Sequence, residues 1–243
     1  MVYKDRTTLK KFYTITLLRK WFEWHEEDAW GASRRFPIYA VADGVTLPGI
    51  GELVTPRGSK PAAVIFCKRA VRFLERNFEH MSERTVRSAY AWANRFIRKL
   101  NTGKRHPLST VAALVVVKNQ YVFGSRITDC GFALLRDGKV IFKTPEYWSR
   151  LRKSRRQGYG TLDGTRRFLK YVETYQRPYR KGDRLLLFSD GFEHHFGAKE
   201  FRQLFKTGKL VDIRRRIKEA DALLVRKNEM KYGKERTLVI AEL

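Results

Sequence analysis

The chain has 243 residues, of which 51 are Lys or Arg and 25 are Asp or Glu, so its formal net charge is +26. Hydrophobic residues make up 43% of the chain, which is typical of a globular protein with a substantial core and excludes wholesale disorder. The positive charge attracts anions, namely nucleic acid, acidic membrane surfaces and acidic or phosphorylated proteins. The basic residues are spread along the chain, so a solvated basic surface without a specific ligand is the alternative.

The two cysteines and the N-terminal residues bear on the cellular compartment. Cys67 and Cys130 lie among apolar residues and form neither a disulfide framework nor a zinc-binding spacing. We expect them to be buried free thiols in a reducing compartment. No apolar run approaches the roughly 20 residues of a membrane span, and no signal-peptide pattern follows the charged first residues. The sequence therefore favours a cytoplasmic protein without a membrane partner.

The first half of the chain predicts strands followed by a pair of helices. β-Branched and aromatic residues indicate the strands, and apolar residues at helical spacing indicate the helices. The predicted elements are strands at 11–22 and 37–42, a loop at 46–60, a helix from about 61, and a second helix that is N-capped by Ser82 and ends near Asn101.

The second half predicts an antiparallel meander, an irregular segment and a final strand–helix–strand region. The irregular segment, residues 145–181, carries eleven basic and three acidic residues. Together the two halves predict one α+β domain in which helices pack on antiparallel sheets. The remaining predicted elements are meander strands at 110–117, 121–127, 131–135 and 140–143, a short helix within 165–175, a strand at 184–189, helices at 198–206 and 211–226, and a strand at 237–243.

Two apolar runs end on an acid followed by a glycine. The first ends on Asp43-Gly44 and the second on Asp190-Gly191. Each predicts a buried strand that delivers one carboxylate at its end, where the glycine permits a sharp turn. Either copy alone is more often a plain turn. Two strand-end carboxylates far apart in sequence, however, are what a fold needs to gather acids around a divalent cation.

A series of short motifs carries a family resemblance. In chain order they are Glu27-Asp28-Ala29, Asp43-Gly44, Ser109-Thr110 followed by Asp129, Ser189-Asp190-Gly191 and the closing strand Thr237–Ile240. This series, which runs from about residue 10 to the C-terminus, resembles the PPM-type (type 2C) metal-dependent serine/threonine protein phosphatases and indicates a divergent, prokaryotic-like member. The resemblance implies a four-layer αββα sandwich, with two central antiparallel sheets flanked by helices. It also implies a single phosphatase domain over residues 1–243, with a basic irregular insert at about 145–181.

The implied reaction is hydrolysis of phosphoserine and phosphothreonine monoesters on proteins by a metal-bound water, with two or three Mn²⁺ or Mg²⁺ ions. The implied partner is a phosphorylated protein, and the positive charge of the chain would suit an acidic one. Nucleic acid would bind only non-specifically, through the same positive charge. Carried over by position, the catalytic acids are Asp43 and Asp190, and the metal ligands are Asp43, the Gly44 carbonyl, Asp190, Glu27, Asp28 and Asp129.

The sequence departs from the family pattern on the metal-binding side. The acid that usually precedes the last strand falls on Lys234, and Glu235 follows it, so Glu235 enters the predicted ligand set as the replacement. A charged lysine cannot ligate a metal ion. Val45 stands where many members have the histidine that donates a proton to the leaving group.

The phosphate-binding side also departs from the pattern. The arginine that some members carry before the early glutamate falls on Glu23. Arg34 and Arg35 are the predicted substitutes, together with Arg19, and His25 is a further candidate for a substrate contact. A surface histidine without a role is the alternative for His25.

Three functions therefore compete. The first is a metal-dependent phosphatase. The second is a phosphatase-like protein that binds a phosphoprotein or another partner without catalysis, which Lys234 and Val45 favour. The third is a basic nucleic-acid-binding protein, which the net charge favours, although no nucleic-acid-binding module is recognisable and strand-end acids repel a polyanion.

Overall fold

A computed structural model describes residues 12–17, 27–45, 58–146, 160–206, 210–228 and 235–243. These residues contain ten strands in two antiparallel sheets. The strands are β1 (Phe12–Leu17), β2 (Ala29–Ala32), β3 (Ile38–Val45), β4 (Ser109–Lys118), β5 (Tyr121–Ile127), β6 (Gly131–Arg136), β7 (Lys139–Lys143), β8 (Val172–Pro178), β9 (Arg184–Phe188) and β10 (Arg236–Glu242). Sheet I has the order β1-β10-β9-β6-β7, and sheet II has the order β2-β3-β4-β5-β8.

Helices cover the outer face of each sheet. Pro61 lies in the first turn of the first helix, where its missing N–H leaves no hydrogen bond unmade. Within the described residues, no helix is both long and apolar enough to cross a bilayer. The helices are α1 (Lys60–Arg76), α2 (Glu83–Leu100), α3 (Asp190–Glu193), α4 (Lys199–Gln203) and α5 (Leu210–Lys227), with 3₁₀ turns at Phe78–His80, Arg167–Tyr171 and His194–Gly197.

Three apolar layers hold the sandwich together. The layer between the sheets includes Tyr39, Val115 and Phe132, all essentially inaccessible to solvent. A second layer lies between sheet II and the pair α1 and α2, and a third lies between sheet I and the helices α4 and α5. This confirms the predicted four-layer αββα architecture.

The second predicted helix begins as the sequence indicates. The Ser82 hydroxyl accepts a hydrogen bond from the backbone N–H of Thr85 at 3.1 Å, which satisfies one of the open donors of the first turn. The helix then runs to Leu100, and Asn101 caps its C-terminus.

The predicted meander is wrong in one respect. β4 and β5 form a hairpin in sheet II, whereas β6 and β7 form a hairpin in sheet I. The chain crosses between the sheets at residues 128–130, where Thr128 adopts the left-handed backbone region with φ of 64°. Alternating hydrophobicity identifies each strand but does not reveal which sheet it joins. The crossing matters because it carries Asp129.

Part of the basic segment predicted as irregular is a strand. Val172–Pro178 forms β8 at the edge of sheet II, and the predicted short helix is a 3₁₀ turn that ends at Tyr171. The buried Arg126 of β5 secures both sides of the segment, because its guanidinium contacts Glu173 at 3.2 Å and the Pro145 carbonyl at 2.5 Å. Residues 147–159 lie outside the described residues. The single domain and the extent of its insert remain predictions.

The contact between the sheets at Gly124 provides a test of the packing. A Cβ atom at Gly124 of β5 would overlap the ring of Phe132, which lies across the interface in β6. We expect Gly124→Ala to lower the free energy of unfolding by about 1–3 kcal/mol, because the ring must move within a close-packed layer. Urea unfolding measures the change.

Gly197→Ala is the matched control for this substitution. A Cβ atom at Gly197 would meet no atom within 4 Å. This variant should unfold within about 0.5 kcal/mol of the wild type. Equal stability of the two variants would contradict the described packing of the sheets.

Candidate active site

The hairpin of β2 and β3 brings the first acids together. Its antiparallel register places the residues that precede β2 beside those that end β3. Asp28 therefore lies next to Asp43, and the backbone N–H of Gly44 donates to the Glu27 carbonyl at 3.2 Å. The Glu27 carboxylate in turn accepts a hydrogen bond from the backbone N–H of Ser59, at 2.6 Å, where α1 begins.

Thr110 of β4 holds the end of β3 from the other side. Thr110 is paired with Gly44, and its hydroxyl donates to the carbonyl of Asp43 at 2.6 Å. The same residue is fully buried. The backbone that carries Asp43 is therefore fixed by hydrogen bonds on both edges.

Sheet I contributes a second group of acids through β9 and β10. Ser189 follows β9 and forms two bonds to Thr237 of β10: its N–H donates to the Thr237 carbonyl at 3.1 Å, and its hydroxyl accepts from the Thr237 N–H at 2.9 Å. The Ser189 hydroxyl also donates to Asp28 across the sandwich, at 2.7 Å. One buried serine thus joins the two sheets beside Asp190.

Glu235 forms a second tie between the sheets. Its carboxylate accepts hydrogen bonds from the backbone N–H groups of Glu27 and Asp28, at 2.9 and 3.2 Å. Glu235 precedes β10 in sheet I, whereas Glu27 and Asp28 precede β2 in sheet II. The carboxylate is therefore placed among the other acids by its hydrogen bonds to the backbone.

The electrostatics of Asp43 show that five acids converge. Burial is the largest influence on the pKa of Asp43 and raises it well above its usual range. The carboxylates of Asp28, Asp190, Asp129 and Glu235 raise it further, in that order. Each influence acts in the same direction, because negative charges at short range disfavour a further ionisation.

The pKa of Asp28 is also raised. Burial raises its pKa first and the Glu235 carboxylate second, while hydrogen bonds from Ser189 and Thr237 lower it, and the result is a pKa of about 8. Without a cation, its carboxyl group therefore holds a proton near neutral pH. The largest cause, burial away from water, is the same as for Asp43.

This cluster suits a hard divalent cation. Mg²⁺ and Mn²⁺ bind carboxylate and carbonyl oxygens, and buried acids that repel one another are stabilised by added positive charge. Among the described residues, no group of three or more His, Cys, Asp or Glu side chains is placed so that it could hold a metal ion as the side chains stand. The fit therefore rests on the type of the ligand atoms and on the mutual rise of the pKa values.

Gly44 does not make the predicted sharp turn, and both Asp-Gly glycines serve close packing. β3 continues through Gly44 to Val45, so the strand does not turn there. A Cβ atom at Gly44 would lie 2.8 Å from the Ser59 carbonyl carbon, and one at Gly191 would overlap the Glu235 carbonyl oxygen. Each glycine therefore lets another segment of the cluster approach its acid.

Of the predicted arginines, Arg34 and Arg35 are not brought to these acids, and Arg19 lies outside the described residues. Arg34 and Arg35 are exposed in the turn between β2 and β3, whereas Asp43 lies at the other end of the hairpin. Five strand residues separate that turn from Asp43, a span of about 16 Å. His25 and Lys234 lie outside the described residues.

Several residues of the site had no role in the sequence prediction. Ser189 and Thr110 were part of the motif series, but only the structure shows that they hold Asp28 and the Asp43 backbone. A small hydroxyl residue next to a strand-end acid is the feature that points to Ser189, whereas no acid adjoins Thr110 in the sequence. Ser59, which begins α1, contacts Glu27 from a distant part of the sequence.

A buried ion-pair network supports the start of β10. Arg236 follows Glu235, and its guanidinium forms two hydrogen bonds to Asp221 of α5, at 2.6 and 2.5 Å. His195, fully buried after α3, contacts the same carboxylate at 2.9 Å. Burial raises the pKa of Asp221, but the bonds from His195 and Arg236 outweigh it, so the net shift is downward.

This network predicts a pH dependence of stability. An acid whose pKa falls on folding contributes stability above its unfolded pKa, about 3.9, and loses it as the pH falls through the lower folded value. Asp221→Asn should lower the free energy of unfolding at pH 7 by about 3 kcal/mol or more, because the buried Arg236 loses both of its charged bonds to the Asp221 carboxylate.

Urea unfolding between pH 7 and pH 3 measures this dependence. The difference between the wild type and Asp221→Asn should shrink below about pH 4. Asp137→Asn, which changes an exposed acid, should follow the wild type throughout. A difference that is constant with pH would contradict the described ion pair.

Comparison with known proteins finds a matching family and structures with a similar fold. A family model described as protein phosphatase 2C matches residues 24–220. No match was found among curated protein sequences. Similar solved structures include the photosystem II phosphatase PBCP, with 17% identity, a TM-score of 0.66 and coverage of 96% of this chain and 98% of that one.

Two further similar structures contain metal ions. One is the catalytic domain of the serine/threonine phosphatase PstP in complex with two manganese ions, with 19% identity, a TM-score of 0.66 and coverage of 96% and 97% of the two chains. The other is RsbX in complex with magnesium, with 15% identity, a TM-score of 0.59 and full coverage of both chains. At these low identities, the TM-scores show a shared fold and nothing further. Because the family model spans most of the sequence, this chain belongs to the protein phosphatase 2C family.

Proposed function

We propose that the chain is a metal-dependent phosphatase that hydrolyses phosphoserine and phosphothreonine on proteins. The observation that carries the proposal is the convergence of Asp43, Asp190, Asp28, Asp129 and Glu235, whose burial and proximity raise the pKa of Asp43. These acids come from both sheets of a protein phosphatase 2C fold. Such a cluster is suited to concentrating positive charge where a phosphate monoester would bind.

Asp43, the Gly44 carbonyl and Asp190 would hold the metal ions, with Glu27, Asp28, Asp129 and Glu235 around them. A bound Mn²⁺ or Mg²⁺ lowers the pKa of water and neutralises negative charge on the phosphoryl group. The similar structures that contain manganese and magnesium support this choice of cation. The number of ions in this chain is part of the proposal.

The chain's own residues orient these groups. Thr110 and Gly44 fix the backbone of Asp43 from its two sides. Ser189 donates to one oxygen of Asp28, and Thr237 also forms a hydrogen bond to this carboxyl group, so two residues of sheet I orient it. Rigid placement of ligands before substrate arrives reduces the reorganisation that the reaction requires.

A binding protein without catalysis is the second candidate. Both oxygens of the Glu235 carboxylate accept backbone hydrogen bonds, which gives this acid a role in joining the sheets. Lys234 stands where the family pattern has an acid. A site with fewer ligands would keep the shape of a phosphatase and bind phosphoproteins while turning over slowly or not at all.

Activity measurements separate the two candidates. With Mn²⁺, the wild type should hydrolyse an aryl phosphate and a phosphothreonine peptide. Asp43→Asn and Asp190→Asn should each lower kcat/KM by at least about 100-fold, because each loses several kcal/mol of charge stabilisation. Asp212→Asn, at an exposed position of α5 outside the carboxylate cluster, is the control and should match the wild type.

Two results would refute the phosphatase proposal. The first is turnover that persists in EDTA and in both site variants. The second is absence of turnover with any divalent cation while the phosphopeptide still binds, which would establish the second candidate.

Stability provides a measurement that does not depend on turnover. In EDTA, Asp43→Asn should raise the free energy of unfolding by about 1 kcal/mol or more, since it removes one of several buried acids that repel one another. Mn²⁺ at about 100 times its Kd should stabilise the wild type by about 2.7 kcal/mol and the variant by much less.

At a cation site, the substitution stabilises the protein in EDTA but removes most of the stabilisation that Mn²⁺ provides. A merely structural acid would show neither effect. Thermal unfolding with and without Mn²⁺ measures both, and Asp212→Asn again serves as the control. If Asp43→Asn destabilised the protein in EDTA and Mn²⁺ stabilised it as it does the wild type, Asp43 would not be a metal ligand.

A further inference from the structure

A groove beside sheet I concentrates positive charge that the proposed chemistry does not use. It lies between β7 and the region of α4 and has a volume of about 610 Å³. Its charged lining consists of Lys139, Lys143, Lys199, Arg202 and Lys206, with Asp137 as the one acid among the described lining residues. The apolar side chains of Val140 and Phe196 also line it.

A β-bulge shapes the β7 side of the groove. Leu135 pairs with Val140 and Leu134 with Phe142, so Ile141 is an extra residue in β7. Side chains alternate between the faces of a strand, and the extra residue therefore puts Val140 and Lys143 on one face. Both are directed to the helix side of sheet I, because Val140 packs on that core and the Lys143 ammonium lies 6.0 Å from the ring of Phe196.

The opposite side is built from α4 and the residues that follow it. Lys199 and Arg202 are three residues apart and so lie on the same helix face. Arg202 donates to the carbonyls of Phe196 and Gly197 at 2.7 and 3.1 Å, which holds its charge at the groove. Glu200 instead pairs with Lys227 of α5 at 3.5 Å and is not among the lining residues.

The groove reaches the helix that carries Asp190. The Lys143 ammonium lies 3.2 Å from the carboxylate of Glu193, which is buried at the end of α3. Glu193 follows Asp190 by three residues, a rise of about 4.5 Å along a helix. The five residues of β7 extend the groove by about 13 Å to Lys139 at its far end.

We propose that this groove binds an acidic segment of the phosphoprotein substrate while the phosphorylated residue occupies the carboxylate cluster. The inference rests on the proposed function and names the class of substrate. An extended peptide advances about 3.3 Å per residue, so its acids should lie about two to six positions from the phosphorylated residue. The Lys and Arg side chains of the groove would attract these acids, and its apolar lining would contact the peptide backbone and the aliphatic parts of its side chains.

The dimensions favour a peptide over nucleic acid. A basic groove of about 13 Å accommodates about four extended residues. The aromatic residue among its described lining is Phe196, which is only 5% exposed and so offers little face on which a base could stack. Nucleic acid is therefore treated as the competing ligand in the test.

Charge reversal within the groove tests the proposal. The groove variant combines Lys139→Glu, Lys199→Glu and Lys206→Glu, three exposed positions outside the carboxylate cluster. The control variant combines Lys68→Glu, Lys104→Glu and Lys218→Glu, which are also exposed and make the same change in net charge.

Three phosphothreonine peptides are compared: one neutral, one with acids two to six positions before the phosphothreonine, and one with acids at the same distances after it. With Mn²⁺, the wild type should show a KM about tenfold lower for one acidic peptide than for the neutral peptide. The groove variant should lose this preference with little change in kcat, and the control variant should keep it. Hydrolysis of an aryl phosphate, which is too small to reach the groove, should be equal in all three proteins.

Several outcomes would overturn the proposal. They are no preference for either acidic peptide in the wild type, an equal loss in the control variant, and displacement of the acidic peptide by a single-stranded oligonucleotide of the same charge at equal concentration. The last outcome would indicate a general polyanion surface.

A different result is expected if the proposed phosphatase function is itself wrong. In that case the aryl phosphate is not hydrolysed by any of the proteins. Fluorescence anisotropy of labelled acidic and neutral phosphopeptides then tests the groove alone. Weaker binding of the acidic peptide by the groove variant only would support the groove, and unchanged binding would refute it.

Discussion

The arrangement of the site depends on the hydrogen bonds that join the two sheets at one end of the sandwich. The Ser189 hydroxyl accepts from β10 and donates to Asp28, so a single buried oxygen connects sheet I to sheet II. The Glu235 carboxylate makes a second connection by accepting two backbone N–H groups at the start of β2. An apolar interface holds sheets at a given distance but does not align their ends, because the hydrophobic effect has no direction. These polar ties provide the alignment that brings Asp43 and Asp190 together.

The same alignment creates an electrostatic cost. Burial and neighbouring carboxylates raise the pKa values of Asp43 and Asp28. Without a cation, these carboxyl groups either keep their protons or repel one another as charged groups. Close packing allows little relief, since Gly44 and Gly191 already admit neighbouring backbone at contact distance. A bound divalent cation would convert the repulsion into attraction. The proposed function and the stability of the fold are therefore linked through one group of side chains.

Charge is distributed unevenly between the interior and the surface. Acids gather at the end of the sandwich, whereas the net charge of +26 requires cations elsewhere, some of which line the groove between β7 and α4. The bulge at Ile141 turns Lys143 toward this groove and toward Glu193 of the helix that carries Asp190. An acidic cluster that we propose to bind cations and phosphate, next to a cationic groove, is suited to a ligand with a phosphate group and additional acids. This arrangement gives the positive charge a role that complements the proposed chemistry.

The sequence alone determined the strands other than β2 and β8, the helix pair and the acids near strand ends, because side-chain periodicity and capping by Ser82 are local properties. It also indicated the family through the order of the motifs. Only the tertiary structure decided that β5 and β6 belong to different sheets, that Glu235 binds backbone groups, and that Arg34 and Arg35 lie at the far end of their hairpin. These features depend on hydrogen bonds between residues far apart in sequence, such as Asp28 and Ser189. Alternating hydrophobicity specifies a buried face, but the pairing of strands and the meeting of their ends are settled by contacts that no local pattern contains.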